Sequence, residues 1–376
     1  SGDVMDTNSA ADLLAGNLCR CASYGPIAAA VAAAKGYPAP DWEDTRLEAN
    51  KQWLLDHADG ETVDFSADGQ RFLSPGTLYA LAESYAENPD AVLVSGATDV
   101  ALWVTKAHRK LGTIIHLGRV TELQRIKQNG DTVSIGAGVT YTDALETIAE
   151  LFPDFGEMTR RIGAVQVRNA GTIGGNIVTG SPIGDTPPAL ISLSATLVLR
   201  KGNNTRRLPI EDFFIDYGKQ DRAPGEFLQA IEIPLPGPGE RLACYKVSKR
   251  FDQDITAVCG CFDINVEGGK VLAARIAFGG MAAIPKRARA VEAALEGNPW
   301  TAETVETARA AFTDDFTPIT DMRASAAYRL ETARNLLCRY FAESKRPLSE
   351  TRLVGRGAEL AGRRRESSFN IQAGTN

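Results

Sequence analysis

Short apolar segments of strand character alternate with helical periodicities from about residue 72 onward. The strand-like segments lie at residues 91–95, 114–117, 132–136, 195–200 and 226–233. The helical periodicities run from Thr77 to about residue 88, over 101–111, over 141–151 and briefly at 210–214. Because strand and helix periodicities follow one another along the chain, the pattern predicts an α/β or α+β domain. Ser74 or Thr77 is placed to cap the first of these helices.

A run of proline and glycine at residues 234–239 is the clearest break in the pattern. Further strand-like segments follow it at residues 243–248, 258–266 and 275–278. Helical stretches then occupy residues 287–295, 302–312 and 322–343. The break therefore predicts a domain boundary near residues 234–239, with a second folded segment of strands followed by helices after it.

The two ends of the chain differ from this middle part. Residues 1–36 carry helical patterns on either side of Cys19 and Cys21, and residues 37–70 have the Pro, Asp, Glu and Gly content of a linker. Residues 349–376 include three consecutive arginines among Gly and Ser, which is typical of a disordered tail, with a basic binding arm as the alternative. The sequence thus predicts a small helical domain, a linker, two larger domains and a tail.

Composition and charge exclude several classes of protein. With 41 Lys and Arg residues against 47 Asp and Glu residues, the chain lacks the basic excess of a nucleic-acid-binding protein. No apolar run approaches the ~20 residues of a membrane helix, and no secretory leader is visible, so we expect a cytoplasmic protein. Six cysteines among 376 residues do not make a disulfide framework, which leaves metal binding or burial.

Residues 168–185 carry the strongest functional signal in the chain. Glycines alternate there with β-branched and hydroxyl side chains, and glycine lets a backbone approach a ligand closely. Backbone N–H groups in such turns form concave sites for phosphate. Thr172, Asn176, Thr179 and Ser181 add polar partners, and Asp185 could accept from a ribose hydroxyl. A glycine-rich turn region without a ligand is the alternative.

Three motifs resemble those of the molybdenum hydroxylases, the family of xanthine dehydrogenases, aldehyde oxidases and carbon monoxide dehydrogenases. Thr-Ile-Gly-Gly-Asn at 172–176, followed by Ser-Pro-Ile-Gly-Asp at 181–185, resembles the family's second FAD-binding motif. Leu-Val-Ser-Gly-Ala-Thr-Asp-Val at 93–100 resembles its first FAD loop, which wraps the pyrophosphate. Asn-Leu-Cys-Arg-Cys-Ala-Ser-Tyr at 17–24 resembles the end of its 2Fe-2S domain. The three motifs occur in the family's order.

The resemblance implies FAD-binding roles for residues of both glycine motifs. These are Leu93, Val94, Ser95, Gly96, Ala97, Thr98, Asp99, Val100, Thr172, Gly174, Gly175, Asn176, Thr179, Ser181 and Asp185. Leu228 matches an aliphatic residue near the flavin, and Lys246 matches a lysine that contacts FAD in relatives. Ile162 stands where relatives often carry a phenylalanine against the flavin ring, so we expect FAD to be retained with altered access to its NAD face.

Cys19 and Cys21 are separated by one residue, which suits two thiolates on one iron of a 2Fe-2S cluster. The family takes the other two of its four ligands from an upstream Cys-Gly-x-Cys, which this chain does not contain. We therefore expect a cluster only if another chain supplies the missing ligands. The remaining cysteines lie in apolar stretches and are expected to be buried thiols, namely Cys244, Cys259, Cys261 and Cys338.

The resemblance also implies an architecture. Residues 71–238 would form an FAD-binding domain of the p-cresol methylhydroxylase/vanillyl-alcohol oxidase type, and residues 239–348 a carbon monoxide dehydrogenase flavoprotein C-terminal-like domain. Residues 1–36 would be the remnant of a helical iron–sulfur domain, so the chain looks N-terminally incomplete.

In function, the resemblance implies an electron-transfer subunit. Residues 248–255 and 278–281 resemble the FAD and iron–sulfur subunits of two-subunit bacterial xanthine dehydrogenases. A separate molybdenum-cofactor large subunit would hydroxylate a purine in such a hetero-oligomer, and the flavin would pass the electrons to NAD. A flavin subunit of an aldehyde- or carbon monoxide-oxidising relative is one alternative. A non-catalytic FAD-binding module is the other.

Overall fold

The computed structural model describes residues 60–237 and 240–346 and, before them, residues 13, 14, 16, 17, 19, 24–34, 36–38 and 41–57. Within these residues the chain forms three α+β units, each with its own sheet and apolar core. The predicted α+β class is thus confirmed. Cys21 and the predicted tail at residues 349–376 lie outside the described residues.

Two helices precede the first sheet. They are α1 (Tyr24–Ala34) and α2 (Asp41–Asp56). The second helix lies within the segment whose composition predicts a linker, because strong helix formers between residues 46 and 55 outweigh the flanking proline and glycine. That segment also contains β1 (Val63–Ala67), which pairs with the first strand of the next domain and extends its sheet.

The first unit is a four-stranded sheet in the order β1-β2-β4-β3. Its other strands are β2 (Gln70–Ser74), β3 (Val92–Val94) and β4 (Thr113–His116), and its crossover helices are α3 (Leu78–Glu87) and α4 (Val100–Thr105). β2, β4 and β3 run parallel, so their carboxyl ends meet at one edge. Thr77 caps α3 by accepting from the N–H of Ala80, which fixes where that helix begins.

The second unit is an antiparallel sheet in the order β5-β6-β11-β7-β8. Its strands, with a small hairpin of β9 and β10, are β5 (Ile126–Asn129), β6 (Thr132–Gly136), β7 (Thr196–Lys201), β8 (Asn204–Pro209), β9 (Phe214–Asp216), β10 (Lys219–Gln220) and β11 (Phe227–Pro234). Its helices are α5 (Tyr141–Leu151), α6 (Pro153–Arg160), α7 (Val165–Arg168), α8 (Ile173–Thr179), α9 (Thr186–Ser192) and α10 (Ile210–Phe213). Most of these helices cover one face of the sheet and bury its core.

The third unit is an antiparallel sheet in the order β12-β13-β14-β15. Its strands are β12 (Leu242–Val247), β13 (Val258–Glu267), β14 (Lys270–Gly279) and β15 (Lys286–Arg287). Its helices are α11 (Arg289–Leu295), α12 (Ala302–Ala310), α13 (Phe312–Asp315) and α14 (Ala326–Ser344). Within the core between the sheet and these helices, Phe262 stacks on Tyr340 and meets Phe278 edge to face.

The second and third units share a core. The opposite face of the third sheet packs against α6 and α9, and its buried side chains Cys244, Cys259, Cys261 and Ala277 belong to the apolar cluster of the second unit. This packing fixes β12 and the segment after it beside the second glycine motif. None of the helices in the described ranges combines the length and the apolarity that a membrane span requires.

Candidate functional site

A cleft of about 750 Å³ lies between the first two units and the near end of the third sheet. Its volume is within the range of about 300–1,000 Å³ that is usual for ligand sites. All but one of the predicted cofactor-binding residues line it, including the distant Ile162, Leu228 and Lys246. The exception is Val94, which is buried within β3. The fold therefore brings the two glycine motifs and these three separate positions together.

The loop after β3, residues 95–99, presents unpaired backbone donors at the cleft wall. Within the described residues, no protein group accepts a hydrogen bond from the N–H groups of this loop. Ala97 has a φ of 58°, and a left-handed residue within a turn directs successive N–H groups toward one side. A Cβ on Gly96 would stand 1.6 Å from the carbonyl oxygen of Ala170, so only glycine allows this loop to contact the second motif. The loop has the geometry of an anion-binding nest.

Across the cleft, α8 begins at the glycine pair of the second motif. The Thr172 hydroxyl accepts from the N–H of Gly175 at 3.0 Å, and Gly174 donates to the carbonyl of Ala137 at 3.2 Å. The N–H groups of Gly174 and Gly175 are thus engaged within the protein. A Cβ on Gly174 would lie 2.5 Å from the Ala137 carbonyl oxygen, whereas Gly175 is exposed to the cleft. The glycine pair therefore serves close packing as well as access.

Asn176 and Tyr141 form a polar side of the cleft. The Thr186 hydroxyl donates to Oδ1 of Asn176, which leaves the two amide N–H donors of Asn176 for a ligand. Burial raises the pKa of the Tyr141 phenol, and the charge of nearby Asp185 raises it further, so this side chain is a neutral donor. Sequence reasoning missed Tyr141, because its contact with Gly171 joins residues that lie far apart in the chain.

Lys246, Asp185 and Thr256 form a buried network beside the cleft. Lys246 Nζ lies 2.6 Å from Oδ2 of Asp185 and 2.6 Å from Oγ1 of Thr256. The Thr256 hydroxyl donates to Oδ1 of Asp185. Both carboxylate oxygens thus already have a donor, which the sequence-based assignment of Asp185 to a ribose hydroxyl does not anticipate. Thr256 was missed because an isolated threonine in an irregular segment carries no pattern.

One end of the cleft is closed by Ile162 and by the segment at residues 250–256, which we call the strap. The Arg161 guanidinium donates to the carbonyl oxygen of Phe251 at 2.9 and 2.6 Å and lies 4.1 Å from the centroid of its ring. Burial lowers the pKa of Arg161, while the carboxylate of Asp252 opposes that shift. Because the strap contributes Gln253 and its neighbours to the cleft lining, Arg161 positions part of the cleft wall.

The part of the cleft nearest the first unit is largely apolar. Leu93, Leu117 and Phe227 line it together with the edge of Tyr85. The Arg222 guanidinium donates to the Tyr85 hydroxyl at 3.1 Å. This end suits a flat, mostly apolar group, and the nest of residues 95–99 lines the same cleft.

The cysteines divide into two groups. Cys244, Cys259 and Cys261 are buried as predicted, and burial together with the neighbouring thiols raises the pKa of Cys261. Cys338 is only half-buried. Cys19 is half-buried, and within the described residues no group of three or more His, Cys, Asp or Glu side chains could hold a metal ion. Two thiolates near residue 20 do not complete the four ligands of a 2Fe-2S cluster.

Comparisons with known proteins show the family of this chain. The family model for the FAD binding domain in molybdopterin dehydrogenase matches residues 65–236, and the model for the CO dehydrogenase flavoprotein C-terminal domain matches residues 243–344. The glyceraldehyde dehydrogenase medium chain of Sulfolobus acidocaldarius is 32% identical over 232 residues, which are 61% of this chain and 82% of that protein. The chain belongs to the FAD-binding proteins of the molybdenum hydroxylase family.

This flavoprotein has relatives of different overall length. It is 29% identical to the xanthine dehydrogenase of Emericella nidulans over 267 residues, 67% of this chain and 20% of that protein, so it spans about a fifth of that relative. The carbon monoxide dehydrogenase from Hydrogenophaga pseudoflava has a chain of similar structure, with a TM-score of 0.68 and 28% identity over 73% of this chain and 96% of that one. The family-level resemblance predicted from the motifs is thereby confirmed.

Proposed function

We propose that this chain is the FAD-carrying electron-transfer subunit of a xanthine dehydrogenase. In this assignment a separate molybdenum-cofactor subunit hydroxylates the purine, and the electrons leave through this flavoprotein to NAD. The observation that carries the proposal is the nest at residues 95–99, whose N–H groups lack protein acceptors within the described residues and which lines the same cleft as the second glycine motif. The two glycine motifs follow the family's order, and both lie in the part of the chain that matches the family's FAD-binding domain. This supports FAD as the ligand.

The cleft residues fit an extended dinucleotide. The nest would hold the pyrophosphate, with the Asn176 amide and the Thr179 and Ser181 hydroxyls as additional polar groups on the opposite wall. The apolar end around Leu93 and Phe227 suits the adenine, and the end at Ile162 suits the isoalloxazine ring. The proposed fold type of this domain is that of p-cresol methylhydroxylase and vanillyl-alcohol oxidase.

Bound FAD would supply the redox chemistry, accepting electrons from iron–sulfur clusters and passing them on to NAD. The protein's own residues bind and orient it. Ile162 would cover a ring face by dispersion, without the aromatic stacking preference of about 0.5–1.5 kcal/mol. The strap shields the same end from water. Cys19 and Cys21 would contribute two thiolates to a 2Fe-2S cluster whose other ligands come from another chain.

Reconstitution with a partner tests this function. The chain is mixed with the molybdenum-cofactor subunit of a two-subunit xanthine dehydrogenase, and flavin absorbance is followed by stopped flow after xanthine and then NAD are added. We expect the complex to form by size exclusion, xanthine to bleach the flavin and NAD to restore its absorbance. Absence of association, or a reduced flavin that oxygen reoxidises and NAD does not, contradicts the assignment.

A second candidate is the flavin subunit of an aldehyde-oxidising relative, which the 32% identity to the glyceraldehyde dehydrogenase medium chain favours. The same experiment with the molybdenum subunit of an aldehyde-oxidising enzyme separates the two. Preferential association with that subunit, and flavin reduction by aldehydes alone, would select the second candidate. If the chain binds FAD but associates with neither subunit, the result selects the remaining alternative, a non-catalytic FAD-binding module.

A further inference from the structure

Three buried polar side chains from three separate elements meet at the strap end of the cleft. Lys246 lies on β12, Asp185 precedes α9, and Thr256 ends the strap before β13. The side chains of Lys246 and Asp185 are 2% and 8% exposed, and Thr256 is 1% exposed. An ion pair that is buried to this extent stabilises a fold only when further hydrogen bonds satisfy its remaining donors and acceptors.

One N–H donor of this network remains without an acceptor among the described residues. The Thr256 hydroxyl uses its hydrogen on Asp185 and a lone pair on the Lys246 ammonium, and Lys246 uses a second N–H on Asp185. An ammonium has three N–H donors. No other group in the described part of the chain accepts the third, and Lys246 lines the cleft. The remaining N–H of Lys246 is therefore available to a bound ligand.

Thr256 determines the direction of that N–H. When the ammonium donates to both Asp185 and Thr256, its tetrahedral geometry fixes the direction of the third N–H. If it donated to Asp185 alone, the other two N–H groups could take several directions. The strap that carries Thr256 is held by Arg161, and Arg161 adjoins Ile162 in the chain. The network and Ile162 are therefore at the same end of the cleft, which is the end assigned to the isoalloxazine ring.

We propose that Thr256 is a positioning residue that holds the Lys246 ammonium against the isoalloxazine ring of bound FAD. This inference rests on the proposed function because it needs FAD in the cleft. A fixed cation beside the ring stabilises the negative charge of the reduced flavin and raises its reduction potential. Thr256 thus couples the position of the strap to the potential of the cofactor.

The test compares Thr256→Val, which keeps the shape and removes the hydroxyl, with Thr256→Ser, which keeps the hydroxyl. Reduction potentials are measured by dithionite titration with reference dyes, and FAD affinity is measured by fluorescence titration. We expect Thr256→Val to shift the potential to more negative values and to weaken FAD binding about tenfold, as the loss of one buried hydrogen bond predicts. Thr256→Ser is expected to match the wild type in both.

A potential that does not change in Thr256→Val, or that shifts equally in Thr256→Ser, overturns the inference. If Thr256→Val does not fold, Thr256→Ala is compared with Thr256→Ser by the same two readouts, and equal potentials again overturn it. Failure of the wild type to bind any FAD refutes the proposed function itself. Binding of FAD with a potential indifferent to the hydroxyl refutes only the role of Thr256.

Discussion

Single residues set the shape of the cleft, and Gly96 does so by close contact. A Cβ there would overlap the carbonyl of Ala170, so the loop that carries the nest would have to move away from the second motif. We expect Gly96→Ala to weaken FAD binding by at least about tenfold and to lower the free energy of unfolding by about 1–3 kcal/mol. Fluorescence titration and thermal unfolding measure the two effects.

Gly25→Ala is the matched control, since no heavy atom would lie within 4 Å of its Cβ. It is expected to leave FAD affinity unchanged. A Gly96→Ala variant that binds FAD as tightly as the wild type would show that the loop does not need this contact.

Asp263 on β13 makes stability depend on pH. Burial, and then the nearby charge of Glu240, raise its pKa from 3.8 to about 7. Between these values the unfolded chain has lost the proton while the folded chain retains it, so the free energy of unfolding falls as pH rises from about 4 to about 7. The fall is at most about 4 kcal/mol, and less after solvent screening.

Asp263→Asn should remove this slope and stabilise the protein at pH 8 by about 1–2 kcal/mol. Urea unfolding at several pH values measures it, with the exposed Asp90→Asn as the control. If the free energy of unfolding depends on pH equally in the wild type and in Asp263→Asn, the Asp263 carboxyl does not lie in an environment of low dielectric constant.

At the scale of elements, the strap depends on Arg161. The guanidinium bonds the Phe251 carbonyl and covers its ring, while Phe251 and Ile255 are themselves half exposed. We expect Arg161→Ala to speed amide hydrogen exchange of residues 250–256 by about tenfold or more, because loss of one or two charge-assisted hydrogen bonds removes about 1.5–3 kcal/mol. Mass spectrometry of the peptide that contains the strap measures the rate.

Arg207→Ala is the control for that experiment, since Arg207 pairs with Glu232 on an exposed face of the second sheet. It should leave exchange in the strap unchanged. If Arg161→Ala exchanges no faster than Arg207→Ala, another contact holds the strap.

The sequence predicts some elements well and others poorly, for physical reasons. β6 and α5 occupy the residues that their periodicities indicate, because each has a buried face and α5 is capped by Thr140. α4 ends at Thr105, earlier than its apolar pattern predicts, since residues 106–112 turn back toward β4. The helices between residues 153 and 192 are four to eight residues long, too short for a periodicity to show.

At the scale of the whole molecule, one ligand would join three units. The cleft takes Leu93 from the first unit, Asn176 from the second and Lys246 from the third. FAD at 100 times its dissociation constant should therefore add about 2.7 kcal/mol to the free energy of unfolding of the whole assembly of units. Calorimetry should show one FAD-dependent transition. A shift confined to one of several separate transitions would mean that the ligand contacts only one unit.

The candidate site was predictable to the extent that motifs carry it. The glycine segments and Lys246 were visible because glycines and charges in a known order are distinctive in a sequence. Tyr141, Thr256 and Arg161 were not, because their importance comes from contacts between residues that lie far apart in the chain. The sequence also suggested that backbone N–H groups of residues 168–185 could hold an anion, but it does not show that those of Ile173 and Gly174 donate to the carbonyls of Val139 and Ala137.

The most direct test of the central claim is a parallel titration of the apo chain with FAD and with FMN, followed by equilibrium dialysis. The cleft joins an apolar end, a pyrophosphate nest and a flavin end, so we predict one FAD per chain and FMN binding at least about a hundredfold weaker, because FMN leaves the apolar end empty and brings only one of the two phosphates to the nest. Retention of neither flavin, or equal affinity for both, would contradict the account.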